Sequence, residues 1–196
     1  MAIEREIKFL DTDLSVIRAK LQEIGGVCSV PERLMRRTIF DFPDRRLGEK
    51  HAWARVRDEG DRVTMSYKRL ASIGLEGMEE VEFTIPRFED GEAFLRGLGL
   101  VPRSFQESRR ETWEWNGCEI VLDTWPWLPS FIEIEGENEE EMQGLVRMLG
   151  LAWKQGVYGG IVEVFKYYYQ VTSDEINHIE TIAFGPLPAW LEEKRR

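Results

Sequence analysis

The feature that most constrains this chain is an alternation of charged and apolar side chains, which begins in the first ten residues. Glu4, Glu6 and Lys8 lie two residues apart, with apolar residues between them except at Arg5. Because successive side chains of a β-strand point to opposite faces, these three charged residues share one face of a strand. On a helix the same residues would be scattered around the axis. The sequence therefore predicts a strand over residues 1–10 with one charged and one apolar face.

Two interpretations of this charged face are open. Neighbouring carboxylates repel each other unless a cation lies between them, and a hard divalent ion such as Mg²⁺ or Mn²⁺ suits oxygen ligands. The alternative is an ordinary half-buried strand whose charged face lies in water. Repetition of the pattern in later strands favours the first interpretation.

The same period of two indicates further strands along the chain. These predicted strands cover residues 30–42, 52–57, 62–68, 79–85, 101–115, 118–125 and 130–135. Asp58-Glu59-Gly60-Asp61 and Asn116-Gly117 predict hairpin turns between neighbouring strands. Apolar residues at helical spacing predict helices over residues 14–24, 89–98, 138–149 and 161–170. We expect one α+β domain with about eight antiparallel strands, which could form an open sheet, a sandwich or a closed barrel.

Composition limits the classes of partner. The chain has 196 residues, 42% of them hydrophobic, and a net charge of −10. This charge argues against a broad surface for nucleic acid or anionic membranes. Without a predicted membrane span or signal peptide, the expected location is the cytoplasm. A homodimer is left open.

Few cysteines and histidines are available for chemistry. Cys28 and Cys118 are not part of a CxxC motif and have no histidine nearby, so both are expected to be small buried hydrophobes. His51 and His178 are isolated in sequence, and we predict no catalytic or metal-binding role for them.

The sequence also predicts where acidic and basic side chains could meet. If the charged strand faces converge, they line a cavity in which carboxylates hold a metal and basic side chains hold phosphate oxygens. A polyphosphate with bound Mg²⁺ needs both kinds of residue. If the faces point outward, they form a salt-bridged surface of little energetic value. The residues concerned are Glu4, Glu6, Lys8, Arg55, Arg57, Lys68, Glu80, Glu82, Arg110, Asp123, Glu133 and Glu135.

These motifs, in this order, resemble the CYTH, or triphosphate tunnel metalloenzyme, superfamily. Glu4-x-Glu6-x-Lys8 is similar to its ExExK signature, and residues 54–57, 80–82 and 131–135 are similar to its RxR, ExE and FxEIE strands. The resemblance runs to about residue 165. It implies a closed antiparallel eight-stranded β-barrel with flanking helices, in which the charged faces line a tunnel. It also implies a divalent-metal enzyme, using Mg²⁺ or Mn²⁺, that acts on a small molecule bearing a triphosphate.

The resemblance also assigns roles to individual residues. As metal ligands it implies Glu4, Glu6, Glu133 and Glu135. As substrate-binding residues it implies Lys8, Arg55, Arg57, Lys68 and Arg110, together with Glu80, Glu82 and Asp123, which would orient basic side chains or hold a second metal. As catalytic residues it implies Glu4, Glu6, Lys8, Arg57 and Lys68.

Three departures from the family pattern stand out. Ser108 occupies a position where the family usually has lysine, and Pro129 replaces a usual glycine. The chain also continues past the usual ending in an extension, predicted to begin near residue 165 and to be helical. This extension could cover one tunnel mouth, mediate a dimer or pad the barrel, and padding is the preferred interpretation.

Three functions fit the resemblance. A hydrolase would use water to attack a terminal phosphorus, and a class IV adenylate cyclase would convert ATP to cyclic AMP and pyrophosphate. A binding module would hold polyphosphate or nucleotide without turnover. We favour the hydrolase, because no nucleoside pocket is visible in the sequence. Base stacking on Trp113, Trp115, Trp125 or Trp127 is less expected than packing between strands and helices.

Overall fold

The N-terminal stretch divides into two strands. The computed structural model describes residues 2–196. Strand β1 (Ala2–Glu4) and strand β2 (Glu6–Phe9) are separated by Arg5. Strand β1 pairs antiparallel with Met78–Ile85, and β2 pairs antiparallel with Phe131–Gly136. One strand over residues 1–10 is therefore a wrong prediction, and Met1 lies outside the described residues.

The other predicted strands are present with small changes of boundary. They are β3 (Val27–Asp41), β4 (Ala52–Asp58), β5 (Val63–Leu70), β6 (Met78–Ile85), β7 (Val101–Trp115), β8 (Cys118–Thr124), β9 (Phe131–Gly136) and the short β10 (Thr181–Ile182). The order across the sheet is β1-β6-β5-β4-β3-β7-β8-β9-β2, with antiparallel neighbours throughout. Strand β10 pairs in parallel with β7.

This topology corrects the expectation of a closed eight-stranded barrel. The sheet has ten strands among the described residues and is not closed by hydrogen bonds. The physical reason lies at Arg5, where the backbone links the two edge strands, β1 and β2. Strand β1 pairs with β6 and β2 pairs with β9, so the two edges are joined by the chain and not by hydrogen bonds to each other. The α+β class, the antiparallel pairing and the flanking helices are confirmed.

The predicted helices pack on the apolar faces of the strands. They are α1 (Leu14–Glu23), α2 (Phe88–Gly97), α3 (Glu139–Met148) and α4 (Ile161–Tyr168), followed by the short α5 (Ser173–Asn177) and α6 (Ala189–Glu192). The carboxylate of Asp13 and the amide of Asn138 cap α1 and α3 by accepting bonds from backbone amides. Leu21 of α1 is fully buried against Ile7 and its neighbours, which contributes about 1.5–3 kcal/mol to stability.

The C-terminal residues form a second apolar cluster. Phe165 and Tyr169 are fully buried with Trp125, Leu128 and Phe131, which belong to β9 and the loop before it. The extension is also tied to β7, because the Ser104 hydroxyl donates to the Ile179 carbonyl at 2.7 Å. It therefore covers the end of the sheet where Trp125 and Ser104 lie.

The two cysteines differ in environment. Cys118 is buried in the core beside α3, as predicted. Cys28 is exposed, so the prediction of burial is wrong for this residue. The start of β3 is the cause, since Val27 and Ser29 on either side are exposed too. No helix within residues 2–196 is long and apolar enough to cross a membrane.

Candidate functional site

The charged strand faces converge as the sequence predicts. Lys68 of β5 reaches Glu4 of β1 at 2.9 Å and Glu80 of β6 at 3.0 Å. Lys8 of β2 reaches Glu133 of β9 at 3.2 Å. Because β1 and β2 are joined at Arg5, the pairs of Glu4 with Lys68 and of Glu6 with Lys8 bring the charged faces of both sheet edges to one common interior.

One side of this interior is rich in carboxylates. The Lys8 ammonium donates to Glu6 at 2.9 Å and also to Glu133, and all three side chains are nearly buried. Burial disfavours the charged Lys8, but the charges of Glu133 and Glu6 outweigh it and raise its pKa. Burial, followed by the Glu133 charge, raises the pKa of Glu6. Burial, with Glu133 and Glu119 nearby, raises the pKa of Glu135 to about 7.

The donor set on this side fits a hard divalent ion. Burial and the neighbouring Glu133 carboxylate raise the pKa of Glu6, and burial and the neighbouring Glu80 carboxylate raise the pKa of Glu4. A cation placed between such paired carboxylates would stabilise their charged forms. Within residues 2–196, no group of three or more acidic, cysteine or histidine side chains forms a preassembled metal site. Lys8 and Lys68 instead provide the positive charge between these carboxylates.

A wall of arginines, formed by Arg55, Arg57 and Arg110, adjoins these carboxylates, because Arg55 shares Glu80 with Lys68 and Arg110 reaches Glu133 at 3.4 Å. Arg55 pairs with Glu80 at 3.0 Å and with Glu82 at 2.8 Å. Arg110 makes a bidentate pair with the buried Asp123, at 2.8 and 2.6 Å. Glu80, Glu82 and Asp123 thus each form ion pairs with basic side chains of this interior.

Several arginine donors have no hydrogen-bond partner within residues 2–196. The Nε atoms of Arg37, Arg55 and Arg57 are buried without a hydrogen-bond acceptor among the described residues. Burial, followed by the charge of Arg55, lowers the pKa of Arg57 to about 10. Buried donors without acceptors are rare because each costs about 1–3 kcal/mol. An anion with several oxygens would satisfy these donors and offset the positive charge.

Sequence reasoning missed two residues of this site. Arg37 of β3 is 5% exposed and faces the interior, whereas Arg36 is exposed. Glu59, placed in a hairpin turn, is 1% exposed and pairs with Arg57 at 2.6 Å. The period of two was the available signal for Glu59, since it continues the alternation of Arg55 and Arg57.

A cavity of ≈ 180 Å³ opens from the end of the interior near the turn at Asn116 and Gly117, away from Trp125. Its lining includes Arg33, Arg57, Glu59, Arg110 and Glu119. The walls are mostly polar. A charged ligand could reach the arginine wall from this end.

The tryptophans pack between elements, as predicted. Trp113 and Trp125 are buried, and Trp115 and Trp127 are partly buried against the two apolar clusters. The indoles of Trp115 and Trp127 donate to the backbone carbonyls of Ile24 and Pro186. The four rings are thus held by the protein itself.

Comparison with known proteins identifies the family. The CYTH domain family model matches residues 2–149, which is most of the chain. This chain belongs to the CYTH domain family. The resemblance found in the ExExK, RxR and FxEIE segments is therefore confirmed. Members of the family bind triphosphate substrates and use divalent metals, and they are typically triphosphatases or adenylate cyclases.

Several solved structures share the fold. A protein from Pyrococcus horikoshii is 21% identical, with a TM-score of 0.69 over 83% of this chain and 99% of its own. An adenylate cyclase candidate from Vibrio parahaemolyticus is 14% identical, with a TM-score of 0.74 over 84% and 98%. A Hippeastrum adenylyl cyclase candidate with dominant triphosphatase activity is 18% identical, with a TM-score of 0.59 over 82% and 91%. No curated protein matches the chain.

Proposed function

We propose that this CYTH protein is a divalent-metal-dependent phosphohydrolase of triphosphate-bearing substrates, either inorganic tripolyphosphate or an organic or nucleoside triphosphate. The observation that carries the proposal is the arginine wall. Arg55, Arg57 and Arg110 line one interior, paired with Glu80, Glu82 and Asp123, and the Nε donors of Arg55 and Arg57 are unsatisfied. A chain of phosphates supplies many acceptor oxygens and negative charge in a compact form.

The proposed roles follow from position. The phosphate chain would be held by Lys8, Arg55, Arg57, Lys68 and Arg110. Orientation of these basic groups would come from Glu80, Glu82 and Asp123. The metal, Mg²⁺ or Mn²⁺, would be held by Glu4, Glu6, Glu133 and Glu135, where it would polarise phosphoryl oxygens and neutralise their charge.

Catalysis in this scheme is mainly electrostatic. Water attacks a terminal phosphorus, the bond to the bridging oxygen breaks, and the departing phosphate chain carries the electron pair. Negative charge on the transferring phosphoryl group is stabilised by the fixed guanidinium groups of Arg55, Arg57 and Arg110. The carboxylates that pair with these groups hold them in place, so little reorganisation is needed during the reaction.

Hydrolysis requires fewer contacts between substrate and protein in this interior than cyclisation does. Cyclisation requires the ribose 3′-hydroxyl to lie in line with the α-phosphorus, and therefore contacts to the nucleoside. The ≈ 180 Å³ cavity is smaller than the roughly 300–1,000 Å³ typical of small-molecule pockets, and its walls are charged. The packed tryptophans leave no evident stacking platform among the described residues. A class IV adenylate cyclase is the alternative, because the family includes that activity.

The test is a product analysis with two substrates. The protein is incubated with tripolyphosphate and, separately, with ATP, at neutral and alkaline pH with Mg²⁺ or Mn²⁺. We expect orthophosphate from tripolyphosphate. Arg57→Ala should lose most activity, while Arg36→Ala, which removes the adjacent exposed arginine of β3, should keep it.

The other outcomes separate the alternatives. Cyclic AMP and pyrophosphate from ATP, with tripolyphosphate left intact, would establish the cyclase. Tight binding of tripolyphosphate without any product would establish a binding module. Equal activity of the Arg57→Ala and Arg36→Ala proteins would refute the assigned arginine wall.

A further inference from the structure

Arg37 differs from the other interior arginines in its surroundings. In the sheet it lies directly opposite Arg57 on one side and Gln106 on the other. Its guanidinium donates to the Ser108 hydroxyl and lies 4.5 Å from the centre of the Trp125 ring. Two like charges directly opposite each other destabilise a sheet, so the position of Arg37 is unfavourable in the free protein.

The charge of Arg37 is also without a counterion. Arg55, Arg57 and Arg110 each pair with a carboxylate, whereas no carboxylate within residues 2–196 makes an ion pair with Arg37. Burial, followed by the charges of Arg57, Arg110 and Arg55, lowers the pKa of Arg37 well below its usual value. Because arginine stays protonated in proteins, this charge remains and requires an anion nearby.

The small side chain of Ser108 leaves room for the Arg37 guanidinium in the interior. Ser108 is fully buried on the interior face of β7, opposite Met35 and two residues before Arg110 along the strand. Its short side chain leaves space that the Arg37 guanidinium enters. A lysine at residue 108 would occupy this space and repel Arg37.

We propose that Arg37, held by Ser108 and Trp125, binds one phosphate group of the substrate in addition to the residues of the arginine wall. The phosphate concerned is the one farthest from the opening, because Arg37 lies toward the end covered by the C-terminal extension, near Trp125 and Ser104. This inference rests on the proposed function, since it assumes that a triphosphate enters the interior.

The test compares binding and stability in four proteins. Tripolyphosphate binding is measured by calorimetry with Mg²⁺ and with EDTA, and the melting temperature is measured without ligand. The variants are Arg37→Met, Arg36→Met as the matched control, and Arg57→Met as a control for the arginine wall. We expect Arg37→Met to weaken binding about 10- to 100-fold, the effect of losing one charge-assisted contact. Its melting temperature should stay unchanged or rise, because an uncompensated buried charge is removed.

The pattern of results distinguishes the possible roles. A lower melting temperature with unchanged affinity would show that Arg37 is structural and would overturn the inference. If only Arg57→Met weakens binding, this inference fails and the proposed function stands. If neither variant weakens binding, the proposed function fails as well.

A double variant keeps the inference testable if Arg37→Met does not fold. Arg37→Met combined with Ser108→Lys moves the positive charge from β3 to β7 within the same space. We expect affinity for tripolyphosphate within a few-fold of the unmodified protein. Affinity more than about tenfold weaker in a folded double variant would contradict a phosphate contact at this place.

Discussion

Replacing Glu59 by glutamine should destabilise the protein and weaken the arginine wall. Glu59 is almost fully buried and makes ion pairs with Arg57 at 2.6 Å, Arg62 at 3.0 Å and Arg33 at 3.5 Å. The hydroxyl of Thr64 also lies 3.4 Å from it. Glutamine keeps the shape but removes the negative charge, so these arginines lose their shared counterion.

The magnitude follows from burial. Removing one partner of a buried ion pair costs about 3–5 kcal/mol. Arg33, 16% exposed, carries this cost, as does Arg57, 10% exposed, which keeps only its pair with Glu82 at 3.2 Å. The Arg62 pair is weak because that side chain is 56% exposed. For a chain of this size, we expect Glu59→Gln to lower the melting temperature by roughly 6–20 °C.

The effect of Glu59→Gln on stability should change with pH in one direction. Burial disfavours the charged Glu59, but Arg57 and Arg62 outweigh it and hold the pKa of Glu59 below 4.5. A carboxyl with a depressed pKa stabilises the folded state above its unfolded pKa, and this stabilisation is lost as pH falls through the folded pKa. The stability difference between the native protein and Glu59→Gln should therefore be complete above pH 4.5 and shrink in more acidic solution.

The assay is thermal and urea unfolding over a pH series. Asp61→Asn, in the same turn but exposed, is the matched control and should change stability by less than about 0.5 kcal/mol. A loss below about 1 kcal/mol at neutral pH for Glu59→Gln, or a loss that grows in acid, would refute the reasoning.

Three further predictions concern the interior. Arg57→Ala and Arg110→Ala should each cost about 1.5–3 kcal/mol in kcat/KM for tripolyphosphate, because each removes a charge-assisted phosphate contact; unchanged kinetics would mean that these groups do not face the substrate. Chelation with EDTA should abolish turnover and added Mg²⁺ or Mn²⁺ should restore it, whereas full activity in EDTA would contradict the metal requirement. The raised pKa of Glu135, about 7 against an ordinary 4.5, means that its contribution to stability is present below pH 4.5 and is lost as pH rises through 7. Glu135→Gln should therefore gain stability relative to the native protein over that interval in unfolding experiments without metal, and the opposite trend would contradict this.

The sequence predicts this fold well where the alternation is long. Strand β7 runs from Val101 to Trp115, the predicted boundaries, because fifteen residues of period two leave no other register. The absence of hydrogen-bonded closure could not be predicted, since nothing in the N-terminal sequence marks Arg5 as the point where pairing passes from β6 to β9. Whether hydrogen bonds close the sheet depends on where β6 and β9, which are distant in sequence, lie relative to each other in the folded protein.

Residues of the site could be predicted where they share a strand face with a charged motif. They could not be predicted where a contact between distant parts of the chain determines which side chain faces the interior. Lys8 and Glu133 follow from alternation alone and meet as expected. The choice between Arg36 and Arg37 depends on the register of β3, which bulges shift between Cys28 and Arg33. The link between Arg37 and Ser108 joins residues 71 positions apart and has no local signal.

The division of the N-terminal stretch at Arg5 has a consequence during protein synthesis. Residues 2–9 leave the ribosome before their partners, because β1 pairs with residues 78–80 and β2 with residues 132–135. Strand β1 must therefore stay unpaired until residue 80 has been translated and β2 until residue 135, and contacts so distant in sequence form slowly. An apolar strand held open for this time exposes Ile7 and Phe9 to other nascent chains. We infer that the nascent protein is most prone to aggregation before β9 has been made.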